Sequence, residues 1–181
     1  MSGMESAIRR AVIAAAEACH LPPDLVLAMV AVESSGETWA TRTEPAYRWL
    51  WNVSNDKPYR VSHKAAASKA PPNGFPAPPG ISQLTEWIAQ QTSWGLMQVM
   101  GANARAAGMT GPLSQLCDPD VGAYHGCRHL ARLAAQYRNT HGWRGVCQAY
   151  NTGSPESING YPDKVASQAR AMGVSDVFGE Q

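Results

Sequence analysis

The longest apolar run in the chain, LVLAMVAV (Leu25–Val32), follows Pro22, Pro23 and Asp24 and runs into Glu33-Ser34-Ser35-Gly36. Prolines suit a helix start, Asp24 suits its positive end and Gly36 suits its stop, so the pattern predicts a helix over Pro22–Ser34. A helix apolar on every side is buried on every side, which makes this the central helix of a bundle. Other segments carry a single apolar stripe. Met4 to about Cys19 is amphipathic, with Arg9, Arg10 and Glu17 breaking the apolar residues at helical spacing. Val121, Tyr124, Cys127, Leu130, Ala134 and Tyr137 recur at steps of three and four, predicting a long helix with Arg128, Arg132 and Arg138 outside. WRGVCQAYNTG reads as a short helix closing at Gly153, and YPDKVASQARAMG as the last one, with Pro162 near its start and Gly173 after it.

The middle of the chain is less regular. Ser82 is placed as the N-cap of ISQLTEWIAQQ, with Ile81, Leu84 and Ile88 inward and Glu86 and Gln90 toward solvent. GLMQVMGANARAAG reads as a helix from Gly95 to near Gly108. KAPPNGFPAPPG, Lys69–Gly80, has too many prolines for a helix or a central strand. Weak strands fit only between Trp39 and His63. The expectation is a mainly α single domain over residues 1–181, with a long irregular insertion over about 45–92 that includes the proline-rich loop 69–80.

Composition narrows the classes. With 181 residues, 44% apolar and 16% charged, the chain is long enough for one real core and too apolar to be disordered. A net charge of +1 gives no strong footprint for nucleic acid. No apolar run is long enough to span a membrane. Glu5 precedes the first apolar stretch, unlike the basic start of a signal peptide, so the N-terminus reads as part of the fold and delivery across a membrane falls to something else. Cys19, Cys117, Cys127 and Cys147 lack CxxC spacing; buried thiols are favoured, and a disulfide stays open. His125, Cys127 and His129 match no common zinc spacing, and no metal is assigned.

Two places carry candidate chemistry. Glu33 closes the apolar helix, where apolar neighbours and the negative helix end both raise a carboxyl's pKa, the state a general acid needs. The plainer alternative is that Glu33 marks where the helix emerges into water. In TSWGLMQVM, Thr92–Met100, Gly95 and the Gln98 amide interrupt apolar residues. Either this is awkward core, or it lines a site where backbone and amide face a ligand.

Glu33-Ser34, Gly95-Leu96-Met97-Gln98 and Ala149-Tyr150-Asn151, in this order, resemble the catalytic domain of soluble lytic transglycosylases, in the form that bacteriophages and prophages encode. The resemblance covers about residues 20 to 172. It implies a lysozyme-like α-helical domain with a sugar-binding cleft, acting on peptidoglycan glycan strands without metal or organic cofactor and as a monomer. It implies cleavage between N-acetylmuramic acid and N-acetylglucosamine, with the muramic 6-hydroxyl attacking to give a 1,6-anhydro sugar and Glu33 serving as acid and then base. Such a protein is made in the host cytoplasm and works in the periplasm or wall.

By the same resemblance Tyr150 sits with its hydroxyl near the Glu33 carboxyl, and Asn151 and Gln98 offer amides to the sugar, though a core tyrosine and a helix C-cap are the alternatives for the first two. Gly95 lets backbone pass close to the sugar, and Tyr161 packs beside the cleft. Met100 stands where the related goose-type lysozymes, which hydrolyse, carry an aspartate, and this favours attack by the sugar's own hydroxyl over attack by water. The sequence departs from the family between Glu33 and Gly95, where the insertion falls. Glu44 there is the best candidate for a second carboxylate, as in a hydrolytic muramidase, or is a surface turn residue. Trp39, Tyr47, Trp49 and Trp51 either stack on sugars or form a small core under the insertion; the small core is favoured. A non-catalytic wall-binding or virion module with this fold is the remaining alternative.

Overall fold

The computed structural model describes residues 6–179. Helix α1 spans Ser6–Ala18 and α2 spans Pro23–Glu33; Met4 and Glu5, the expected start of α1, lie outside the described residues. Leu25, Val26, Leu27, Ala28, Met29 and Val30 are all buried, as an all-round apolar helix requires. Burial of each Leu, Val or Met among them contributes about 1.5–3 kcal/mol. The helix is wrapped by α1, by the long helix α6 (Pro119–Thr152) and by α7 (Tyr161–Ala171).

Helix α6 is capped by Asp118, whose carboxylate accepts from the amides of Asp120 and Val121 at 3.1 and 3.2 Å. Gly142 leaves helical geometry at φ 58°, ψ −174° and divides it in two, which is why the sequence reads as two helices. The inward stripe is Ala123, Gly126, Cys127, Leu130 and Leu133. Tyr124, expected inside, is exposed, and its ring packs edge-on to His125. Gly126 is needed for packing: a Cβ there would lie 2.5 Å from the Met97 sulfur.

The insertion is partly regular. Strands β2 (Trp49–Asn52) and β3 (Lys57–Arg60) pair antiparallel, with Trp49 opposite Arg60, inside the window where strands were expected. After a short helix α3 (His63–Ala66), the proline-rich loop is anchored by Phe75, which is fully buried between Tyr59 and Trp87 in edge-to-face contacts. Leu50 and Ala102 complete this small core, with Tyr47 at its margin. Trp39 and Trp49 stay exposed, so the small core uses other aromatics than most of those expected.

Helix α4 (Gln83–Gln90) is capped by Ser82, as predicted, but its faces are inverted. Leu84 and Ile88 are exposed, while Glu86 and Gln90 are buried. The Gln90 amide accepts from the Trp51 backbone N–H and donates to its carbonyl, and Glu86 meets Arg105 of α5 (Gly101–Ala106). Polar partners on two neighbouring elements override the apolar spacing that a single segment displays.

A second difference lies at Gly95. The predicted helix begins at Gly101, and what precedes it is a hairpin: β4 (Thr92–Trp94) pairs with β5 (Val99–Met100) and with β1 (Thr41–Thr43). The turn between β4 and β5 has positive φ at Gly95 (64°) and Gln98 (45°), values incompatible with helix.

Candidate active site

The hairpin turn and the end of α2 are fastened together. Ser34, the C-cap of α2, donates from Oγ to the Leu96 carbonyl at 2.9 Å. Tyr150, near the end of α6, donates to the Met97 carbonyl at 2.7 Å. Gln98 donates from Nε2 to the Ala40 and Gly95 carbonyls at 2.8 and 3.0 Å, and its Oε1 lies 2.9 Å from the Ser93 hydroxyl. Met97 itself is fully buried. The turn is thereby held against both the helical lobe and β1.

This explains Gly95 differently from the sequence. A Cβ at Gly95 would lie 2.1 Å from the Leu116 carbonyl oxygen, so the residue makes room for the protein's own backbone, and its positive φ suits glycine. Gln98 borders the cleft, but both of its amide hydrogens are spent on backbone carbonyls, those of Ala40 and Gly95; only acceptor capacity on Oε1 is left for a ligand.

A cleft of about 460 Å³ opens beside the turn; Glu33, Gln98, Met100, Tyr150 and Asn151 line it together with Arg42, Glu44, Ala46, Tyr47 and Ser93. Most of the expected site residues thus converge here. Ser34, Gly95 and Tyr161 do not line it and act behind it. Asn151 is exposed and accepts at Oδ1 from Asn159 Nδ2 at 2.6 Å. The helix closes two residues later, on the left-handed Gly153, so Asn151 is not the cap.

Glu33 is the central group. Its carboxylate accepts a hydrogen bond from the Tyr161 hydroxyl at 2.6 Å. Tyr150 lines the same cleft and feels the Glu33 charge, but its hydroxyl is spent on the Met97 carbonyl, so the bond to the carboxylate falls to Tyr161. The cause is helix placement: α7 packs directly on α2 and begins with Tyr161, while the end of α6 runs beside the hairpin. Burial pushes the Glu33 carboxyl above the usual glutamate range; the Tyr161 bond and the Arg42 charge pull it back in part. Tyr161 and Tyr150 are themselves held well above an ordinary phenol, by burial first and the Glu33 charge second, so both remain donors.

Glu44 borders the cleft and also opens a turn, its carbonyl accepting from the Tyr47 amide at 2.9 Å; its carboxylate accepts from Arg42 Nε at 2.6 Å. Arg42 was missed from sequence. The available signal was its position two residues before Glu44, which puts both side chains on one face of an extended segment. Ser93 was missed too and had no comparable signal.

The three residues weighed for metal do not gather. Cys127 is buried against the Met97 sulfur at 3.9 Å, His129 lies 3.3 Å from both Asn103 and Arg132, and no group of three or more His, Cys, Asp and Glu fit to hold a metal occurs among the described residues. Burial pulls His129 down to about 3, so it stays neutral. All four cysteines are free thiols.

Fold and site together define a helical domain whose open polar cleft is bordered by Glu33, held by a phenol, and by Glu44, held by Arg42. The chain belongs to the Transglycosylase SLT domain family, whose pattern matches residues 10–170. Its structure is similar to that of an inactive mutant of the lytic transglycosylase Slt from Pseudomonas aeruginosa, with a TM-score of 0.56 and 15% identity. That likeness covers 98% of this chain and 26% of the Pseudomonas chain, and at such identity it speaks to the fold. Among curated proteins, none matches the chain. No helix among the described residues is long and apolar enough to cross a membrane.

Proposed function

We propose that this chain is a peptidoglycan lytic transglycosylase with Glu33 as its single acid and base. The observation that carries the reading is the Glu33 carboxyl at the cleft wall, raised by burial and held at 2.6 Å by a phenol. Protonated Glu33 gives its proton to the oxygen between muramic acid C1 and glucosamine C4. The C1–O bond breaks, its electron pair goes to that oxygen, and the retained N-acetyl carbonyl stabilises the positive C1. The Glu33 carboxylate then takes the proton of the muramic 6-hydroxyl as that oxygen bonds to C1, closing the 1,6-anhydro ring. Tethering of the hydroxyl to the reacting ring supplies a large effective concentration. Neither step calls for a metal or organic cofactor. The Asn151 amide and the face of Tyr47 are the groups in the cleft best suited to an acetamido sugar. The wall is the substrate, so the protein acts outside the cytoplasm.

Glu44 supports a second reading. It shares the cleft with Glu33, and a hydrolytic muramidase needs a second carboxylate to activate water. Its bond to Arg42 ties up one of its oxygens and weakens this reading. Mass analysis of digested purified wall separates the two: anhydro-muramic ends are expected. Reducing muramic ends alone would establish hydrolysis.

A further inference from the structure

One exposed side chain ties the loop between α6 and α7 to both helices. Asn159 accepts at Oδ1 from the Tyr161 backbone N–H at 3.1 Å and from Gln148 Nε2 at 2.9 Å, and it donates from Nδ2 to Asn151 Oδ1 at 2.6 Å. Its partners stand at three different places. Gln148 is buried on α6, Asn151 lines the cleft, and Tyr161 opens α7 and holds Glu33 through its hydroxyl. Gly160, the N-cap of α7, has no side chain to offer and lies at a left-handed φ of 72°. Asn159 supplies the missing cap, because the amides of a helix's first turn have no partner within the helix.

One group fixes the polarity of the whole network. A backbone N–H only donates, so the Asn159 atom facing Tyr161 is the oxygen. Nδ2 is the atom left for Asn151, and Asn151 must meet it with Oδ1. That bond is the only one the Asn151 side chain makes among the described residues, so its own N–H donors stay free at the cleft. Turned over, the same amide would offer the cleft an acceptor instead.

We propose that Asn159 is a positioning residue with two arms: it seats Tyr161 against Glu33, and it turns the Asn151 donors toward an acceptor oxygen of the bound sugar. The inference rests on the peptidoglycan reading above for the identity of that sugar. An exposed loop residue thereby sets both the acid and a recognition group without touching the substrate.

Two substitutions separate the arms. Asn159→Asp keeps the oxygen for Tyr161 and Gln148 but has no N–H for Asn151, which then turns over to donate to the new carboxylate. Asn159→Ala removes both arms. Soluble, uncross-linked peptidoglycan strands serve as ligand for protein carrying Glu33→Gln and as substrate for the active enzyme. Asn159→Asp is expected to weaken binding and raise KM about tenfold, the scale of a lost hydrogen bond, with kcat within about twofold of wild type and the loss persisting at high salt. Asn159→Ala adds a fall in kcat of about threefold to tenfold. In a Tyr161→Phe background that fall disappears, because both changes act through one bond to Glu33. Asn159→Asp, which keeps the α7 cap, carries the test should Asn159→Ala disorder the loop. Unchanged binding in Asn159→Asp, a loss that salt abolishes and that is therefore charge repulsion, an equal fall in kcat for the two variants, or additive effects of Asn159→Ala and Tyr161→Phe overturns the proposal. Failure of the transglycosylase reading shows elsewhere, as wild-type digests without anhydro ends, and leaves the binding differences intact.

Discussion

Glu86 on α4 and Glu33 at the end of α2 are both carboxylates drawn out of water, and their surroundings differ in kind. Glu86 is buried with Arg105 in a two-pronged pair, Oε1 to Nε and Oε2 to Nη2, each at 2.8 Å. Gln90 donates to it as well, and Arg105 uses Nη1 on the carbonyls of Met109 and Gly111. Every charge there is answered, so the group can do nothing but hold α4 against α5. Glu33 has a phenol where Glu86 has a guanidinium, and the Arg42 cation acts on it only as a weaker, more distant charge. A phenol holds a carboxyl without supplying a full counter-charge, and of the two carboxylates only Glu33 opens onto the cleft.

The sharpest way to break the comparison is Glu33→Gln. Wall cleavage, followed by release of soluble muropeptides, is expected to fall by about 10²–10⁴-fold, the scale of a lost general acid. Unchanged lysis would remove Glu33 from the chemistry. Glu86→Gln leaves the Arg105 charge buried without its counterion and should cost about 3–5 kcal/mol in urea unfolding, with activity persisting below the transition. A loss of activity without a loss of stability would mean that the two carboxylates are not different in kind.

Tyr161→Phe tests the phenol itself. A drop of about tenfold is expected from the lost hydrogen bond to a charged group. The bond also holds the Glu33 pKa down, so in the variant the alkaline limb of the pH–rate curve moves to higher pH. An unmoved limb would deny Tyr161 a role in tuning Glu33.

The smallest effect is on stability. Because the folded-state pKa of Glu33 is raised, the folded protein holds this proton more tightly than the unfolded chain. The contribution is complete below the ordinary glutamate value and is lost as pH rises through the raised one. Glu33→Gln should therefore melt above wild type near neutral pH, with the gap closing in acid. A gap that widens in acid would reverse the sign assigned to Glu33.

Much of this was legible along the chain where a segment's environment follows from its own composition. Leu25–Val32 is apolar on all sides, so its burial needed no partner to be known, and Glu33 at its end inherited that surrounding. The Asp118 and Ser82 caps act within one turn and are equally local. The errors share one cause, because each concerns a residue whose role depends on a distant segment. Glu86 and Gln90 turn inward only because Arg105 and the Trp51 backbone wait there; Gly95 is required by the Leu116 carbonyl; and the Glu33 bond falls to Tyr161 because the first residue of α7 reaches the end of α2 while the Tyr150 hydroxyl is spent on Met97. Arg42 joined the cleft through a strand pairing, Thr41 opposite Trp94, that no local pattern announced. By itself the sequence determined the central helix, the acid at its end and the family. Tertiary structure alone decided which phenol holds the acid, which face of α4 is buried and what borders the cleft, because hydrogen bonds and ion pairs between distant segments are invisible to periodicity and yet are strong enough, once buried, to override it.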